Sequence, residues 1–387
     1  MAAAVQNFKK QMLRAVNWLR GCIMRLPGRV RPKRVVFESF GGRGYSSSSR
    51  AVSEALHALR PDAEIVWLFT DPESKKQVVP PYVEGVRIHS VRGIRMLRTA
   101  GTWVMGTMVP KYFSKHPGQM YIQVWHGLCG FKLVLEQSWK AGMIDPEIMD
   151  LGTTGSKTGE YIYRDRMHYS GELLMAGEPK YQPMLRADAQ ARARLRASLG
   201  IAENERVLLF APTMREGAKT GTQNVSALRL DHALDVLTEA DGRPWRAFTR
   251  AHHVVKGLSG IAADPRIEDH TADEDINDLL IACDALITDY SSCACDFSLL
   301  EKPVILYIPD YEDYVSHERG LYVDIDKSPY VTAKSEAELD DVLRRLNGID
   351  WHEKRLGVEA LYGMYETGGG ADAAAERISA HMDGRDR

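Results

Sequence analysis

Short apolar runs separated by helix-length stretches recur through most of the chain, and this alternation restricts the fold more than any single motif. Val35 to Phe37, Ile65 to Phe69, Tyr121 to Trp125 and Leu173 to Met175 read as buried strands, with a helix over Arg50 to Leu59 between the first two. A polar, Ala/Arg-rich helical stretch near Ala187 to Ser198, closed by Gly200, separates this series from a second. That second series is Val207 to Phe210, Arg246 to Phe248, Ala285 to Thr288 and Val304 to Tyr307. A chain of 387 residues is too long for one ordinary core and suits two domains of ~100 to 200 residues each. The expectation is therefore α/β: two doubly wound, Rossmann-like units facing across a cleft, over residues 34–185 and 200–365, with a last helix in 366–387 that could pack back on the first. Ligands of such sheets lie beyond the carboxyl ends of the strands, so residues directly after a strand are the ones to examine.

Residues 1–33 follow a different pattern. Val5, Phe8, Met12, Val16, Leu19, Ile23 and Leu26 recur at steps of three and four and would line one stripe of a helix. Nine basic residues and no acidic one lie between Met1 and Arg34, although the whole chain has a formal net charge of only -2. Charges interrupt every apolar run, so no stretch approaches the ~18 uninterrupted residues of a spanning helix, and no signal-peptide core with a cleavage site is visible. A basic amphipathic helix of this kind can lie in the headgroup layer of an anionic membrane. The alternative is a helix packed on the protein's own body or a partner chain, which pattern alone does not separate from a lipid-facing one; the membrane reading is the preferred expectation.

Composition, at 44% hydrophobic and 26% charged, is that of a globular protein rather than a disordered one. The five cysteines, Cys22, Cys129, Cys283, Cys293 and Cys295, form an odd and scattered set, which argues against a disulfide framework and for a reducing compartment. Cys293 and Cys295 have no second Cys or His pair nearby at structural-zinc spacing.

Four segments place polar groups immediately after a strand. In Phe37-Glu38-Ser39-Phe40-Gly41-Gly42-Arg43-Gly44-Tyr45, three glycines let the backbone turn tightly and approach a ligand. The run lacks dinucleotide-site and P-loop spacing, and a plain strand-to-helix turn fits as well. In Gln123-Val124-Trp125-His126-Gly127, a histidine ends a buried strand, where a general base would take a proton from a hydroxyl; a satisfied core histidine is the equal alternative. The third element pairs Ala211-Pro212-Thr213-Met214-Arg215-Glu216 with Thr249-Arg250-Ala251-His252-His253, whose Arg and His side chains suit a pyrophosphate, against simple surface solvation of Arg215 and Arg250. The fourth, Thr288-Asp289-Tyr290-Ser291-Ser292-Cys293, turns into a short helix that Ser291 or Ser292 could cap, leaving amide groups for an anion.

At these segments the chain resembles the CDP-glycerol glycerophosphotransferase family, the wall teichoic acid primases and polymerases. The matching strings are FESFGGRGYS (37–46), QVWHG (123–127), LLFAPTMRE (208–216), RAHH (250–253), DINDLL (275–280), ITDYSS with Asp296 (287–296), and KPVILYIPDYEDY followed by Arg319-Gly320-Leu321-Tyr322. They stand in the family's order over roughly residues 35–380. Three places depart from the family pattern: Leu128-Cys129-Gly130-Phe131-Lys132 replaces a Pro-Leu-Lys-like run, Met214 stands where Trp is usual, and His253 stands where Tyr often follows.

The resemblance implies a glycosyltransferase-B-like fold whose second domain binds the donor. It implies catalytic histidines at His126 and His252, and substrate contacts from Gly41, Gly42, Tyr45, Gly127, Thr213, Arg215, Arg250, Asn277, Asp289, Ser291, Ser292 and Arg319. The implied partners are CDP-glycerol, a lipid-linked saccharide acceptor and an anionic membrane surface; nucleic acid is not among them. The expected reaction is transfer of glycerol phosphate to a polyprenyl-diphosphate-linked saccharide with release of CMP, primase-like, at the cytoplasmic face of the cell membrane. No cofactor is expected to be required, a divalent cation being at most an aid. A ribitol-phosphate or capsule polyol-phosphate transferase, or a nucleotide-sugar glycosyltransferase on the same fold, is the alternative.

Overall fold

The structure is a computed structural model and describes residues 2–110, 112–125, 127, 129–131, 146–213, 228–250, 264–317 and 320–385. The chain forms two compact units. One comprises 1–128, 135–182 and 365–387, the other 129–134 and 183–364.

The first unit is built on a seven-stranded sheet. Its strands are β1 (Arg31–Glu38), β2 (Glu64–Phe69), β3 (Val83–Arg87), β4 (Ala100–Met105), β5 (Met120–Gln123), β6 (Leu151–Thr153) and β7 (Glu172–Leu174). They lie in the order β3-β2-β1-β4-β5-β6-β7, with parallel pairing throughout. Parallel strands are covered on both faces, which is why burial in β2 and β4 is continuous from Ile65 to Phe69 and from Ala100 to Met105 rather than alternating. Val35, Phe37, Trp67, Phe69 and Ile122 make the core of one face together with Val52 and Leu56 of the helix Ser47–Leu59. Burying each such side chain contributes roughly 1.5–3 kcal/mol. The same core takes in Ala371, Ala374, Ala375 and Ile378 from the helix Gly370–Met382. Small side chains there let that last helix lie close against Ser47–Leu59.

The second unit carries a six-stranded parallel sheet. Its strands are β8 (Arg206–Phe210), β9 (Trp245–Thr249), β10 (Ile267–Asp269), β11 (Ala285–Thr288), β12 (Val304–Tyr307) and β13 (Val331–Ala333), in the order β10-β9-β8-β11-β12-β13. The helix Ala189–Ser198 is tied to it by Asp284, whose carboxylate accepts from Arg192 at 2.8 Å, Arg196 at 3.0 Å and the Val207 amide at 2.9 Å.

The N-terminal helix Ala2–Arg25 packs on the helix Val91–Thr99. Met24 is buried, and Gly21 lies against Tyr112, where a Cβ would stand 3.5 Å from the tyrosine's own Cβ. Of the apolar stripe read from the sequence, Met12, Val16, Leu19 and Leu26 are exposed and Ile23 is half-buried, and Trp18 beside them is 70% exposed. No helix among the described residues is long and apolar enough to cross a membrane. The five cysteines carry no disulfide.

Candidate functional site

In each sheet the chain reverses its winding once, and at that reversal the loops leaving two adjacent strands diverge to opposite faces and open a crevice at the carboxyl ends. The reversals fall between β1 and β4 in the first sheet and between β8 and β11 in the second. A buried carboxylate bridges the two strand ends in both.

In the first unit this carboxylate is Glu38, the last residue of β1 and 3% exposed. It accepts from the amides of Gly41 and of Gly42 (3.1 Å) on its own side, and from the amide (3.2 Å) and hydroxyl (2.8 Å) of Thr107, just beyond β4, on the other. Burial raises its pKa above the usual carboxylate value; the bonds to Thr107, Gly41 and Gly42 oppose that shift. The loop so anchored is unusual in its backbone. Phe40, Gly41 and Gly42 hold φ of 49°, 71° and 82°, and a Cβ at Gly42 would stand 3.0 Å from the Leu68 carbonyl oxygen. Gly42 also accepts from the Thr70 amide at 2.7 Å. Tyr45 lies in the core, its ring 4.7 Å from that of Trp67.

One strand over from β4, Val124, Trp125 and Gly127 follow β5. The Val124 amide donates to the Met105 carbonyl at 3.0 Å, and Trp125, buried, adopts φ 45°, a left-handed conformation that non-glycine residues rarely take. Gly127 is half-buried. His126 itself lies outside the described residues.

In the second unit the bridging carboxylate is Asp289, directly after β11 and 3% exposed. Both of its oxygens accept from the Thr213 amide, at 2.9 and 3.0 Å, beyond the end of β8. The Thr288 hydroxyl donates to the Ala211 carbonyl at 2.7 Å and closes the same junction. Arg250 follows β9, half-buried, its amide bonded to the Phe210 carbonyl and its guanidinium to the His270 carbonyl at 3.2 Å. Burial lowers its pKa, while the neighbouring carboxylates of Asp275, Asp273 and Glu274 favour its charged form. Asn277 is buried at the start of the helix Ile276–Ala282, its amide donating to the Asp275 cap at 3.1 Å.

The Ser-rich turn differs from the expectation in one respect. The helix it begins, Cys293–Ser298, has only six residues, and Ser292 at its N-cap makes no side-chain bond. The Ser291 hydroxyl instead accepts from the Cys293 amide at 3.4 Å, and the amides of Ala294 and Cys295 are taken by the Ser291 and Ser292 carbonyls. The groups open to an anion are thus not the helix's own first turn. They are the amides of Ser291 and Ser292 ahead of it, which have no acceptor among the described residues. Tyr290 underpins the turn, 1% exposed, with its ring 3.6 Å from Tyr314 and its hydroxyl donating to Asp310 at 3.1 Å. Gly130 packs on it as well, where a Cβ would stand 3.1 Å from that of Ser292.

Of the expected site residues, Gly41, Gly42 and Tyr45 share the first crevice's loop, with Gly127 two strands across. Thr213, Arg250, Asn277, Asp289, Ser291 and Ser292 cluster at the strand ends of the second sheet. His252, Arg215 and Arg319, like His126, lie outside the described residues. Glu38 and Thr107 were not legible as site residues. The available signal was an acidic residue closing the buried run Val35-Val36-Phe37 directly before Ser-Phe-Gly-Gly.

Known proteins share both the sequence and the fold. A teichoic acid poly(glycerol phosphate) polymerase of Staphylococcus epidermidis is 27% identical over 338 residues, 81% of this chain and 46% of the polymerase, so the chain spans about half the length of that relative. A teichoic acid glycerol-phosphate transferase of Staphylococcus aureus is 27% identical over 334 residues, 81% of this chain and 84% of its own. The solved structure of the wall teichoic acid polymerase TagF superposes with a TM-score of 0.81 at 24% identity, covering 99% of this chain and 97% of that one, and so shares its fold. The family profile of CDP-glycerol:poly(glycerophosphate) glycerophosphotransferases matches residues 21–379, and the chain therefore belongs to that family.

Proposed function

We propose that the protein transfers glycerol phosphate from CDP-glycerol to a hydroxyl of a polyprenyl-diphosphate-linked saccharide, releasing CMP, as a primase-like step of teichoic acid synthesis at the cytoplasmic membrane surface. The observation that carries this reading is the second sheet's reversal point, where the amides of Ser291 and Ser292, the pinned Thr213 loop and the Arg250 cation gather at the strand ends. Amide donors and a guanidinium in a partly buried setting suit a diphosphate. Family membership and the existence of a TagF variant soaked with CDPG support the choice of donor.

In the reaction the acceptor hydroxyl gives its proton to His126. Its oxygen attacks the β-phosphorus of CDP-glycerol in line, the new P–O bond forms, and the bond from that phosphorus to the bridging oxygen breaks, so that CMP leaves with the electron pair. Arg215, Arg250, His252, Arg319 and the Ser291–Ser292 amides hold the charge that develops, and Asn277 and Asp289 keep the surrounding loops in place. Positioning and electrostatic stabilisation supply most of the acceleration in a phosphoryl-type transfer. The exposed stripe Met12, Val16, Leu19 and Leu26, with the adjoining basic residues, supports docking on anionic lipid near a lipid-linked acceptor.

Purified protein is incubated with a polyprenyl-diphosphate saccharide and, in separate reactions, CDP-glycerol, CDP-ribitol and UDP-sugars. CMP from CDP-glycerol, dependent on acceptor, is the expected result. CMP only from CDP-ribitol moves the assignment to the ribitol-phosphate class, and UDP from a UDP-sugar replaces it with glycosyl transfer.

A further inference from the structure

We infer that Glu38 is a positioning residue for the transfer reaction, fixing the Gly-rich loop and the exit of β4 in one register beside β5, the strand that His126 follows in sequence. The inference rests on the role proposed above for His126. Three observations carry it. First, the carboxylate ties its own loop to Thr107, 69 residues from Glu38, since it accepts from Gly42 on one side and from both the amide and the hydroxyl of Thr107 on the other. Second, the Glu38 main-chain carbonyl accepts from the Gly106 amide at 2.9 Å and the Ser49 hydroxyl at 2.7 Å, so that the β4 exit and the first turn of the helix Ser47–Leu59 hang on the same residue. Third, β4 hands the register on: the Met105 carbonyl, one residue before Gly106, accepts from Val124, two residues before His126.

A buried carboxylate is costly unless its lone pairs are filled, and these four donors fill them at the crevice rather than in the deep core. A structural ion would not need that location. Glutamine of the same shape cannot reproduce the arrangement, because its amide nitrogen would face N–H or O–H donors. One side of the bridge must then open, either at Gly41 and Gly42 or at Thr107. A shift on the order of 1 Å in a catalytic group costs about 10²-fold in rate.

The test compares the full-length protein with Glu38→Gln, Thr107→Val and the double variant, reading kcat and KM for CDP-glycerol and acceptor, CDP-glycerol affinity by calorimetry, and amide exchange at Gly41, Gly42 and Thr107. Glu38→Gln is expected to lower kcat roughly 10- to 100-fold while CDP-glycerol affinity stays within twofold, because the donor groups belong to the second unit. Thr107→Val should lower kcat by a smaller factor, and the double variant should be no worse than Glu38→Gln alone, since both act through one bridge. A merely structural role would instead depress affinity and turnover together with the melting temperature. Wild-type kcat in Glu38→Gln, or additive losses in the double variant, overturns the inference; if Glu38→Gln does not fold, wild-type kcat in Thr107→Val does so. Failure of the wild-type protein to release CMP from any CDP-polyol is a separate outcome that removes the proposed function itself.

Discussion

Replacing Asp289 with Ala tests how the second unit builds its anion site. Asp289 is 3% exposed, and both carboxylate oxygens accept from a single amide, that of Thr213. Truncation leaves that amide without its acceptor, which costs about 1–3 kcal/mol, and the space vacated by the carboxylate can admit water, which favours the middle of that range. Taking roughly 2 kcal/mol, and about 2–4 °C per kcal/mol for a unit of this size, the melting temperature should fall by about 4–8 °C. Two effects on CDP-glycerol then compete. Removing a negative charge near a diphosphate would tighten binding, whereas releasing the 211–213 loop would weaken it. Because the carboxylate already faces an N–H donor, the loss of order should win, raising the dissociation constant about tenfold, or about 1.4 kcal/mol. Asp289→Asn, which keeps one acceptor oxygen, should fall between. Differential scanning fluorimetry and calorimetry read the two quantities, and an unchanged melting temperature or tighter donor binding in Asp289→Ala would refute the reasoning.

Other expectations concern the anchoring of each unit. Asp284→Asn should destabilise the second unit by roughly 3 kcal/mol at pH 7, the low end for a broken buried pair because Arg192 and Arg206 are each 34% exposed. Burial would raise the Asp284 pKa, but the Val207 amide and the Arg192 and Arg196 guanidiniums bring it below the ordinary 3.8. Its stabilisation is therefore complete above that value and is lost as pH falls through the lower folded-state one, so urea titrations of wild type and variant should converge only in acid. Trp18→Ala with Leu19→Glu should reduce sedimentation with anionic vesicles while leaving neutral vesicles unaffected, given how exposed both side chains are; equal binding by the variant would place the lipid contact elsewhere.

How much of this was legible in sequence depended on local punctuation. β11 and β12 were readable to the residue because Asp284 and Asp289 bound one apolar run and Pro303 opens the other. β4 was not, since the helix Val91–Thr99 runs into it with no turn residue between them, and its Gly101 answers to a contact outside the segment: a Cβ there would stand 2.5 Å from the Pro32 carbonyl oxygen. The edge strands β3, β10 and β13 are short or polar and show no periodicity. In the site, polar residues directly after strands can be singled out from sequence because α/β topology puts ligands at the carboxyl ends of strands. The bridging role of Glu38 could not be read locally, its partner Thr107 being 69 residues away. The Ser-rich turn was identified by its hydroxyls, yet which amides stay open was decided by a helix of six residues closing its own first turn.

Single-turnover CMP release by His126→Ala, measured beside its CDP-glycerol affinity, tests most directly whether this chain moves glycerol phosphate by base-assisted attack. The account predicts CMP release at least about 10²-fold slower with donor affinity within a few fold of wild type, the range a positioned general base contributes. CMP release at the wild-type rate from that variant would contradict it.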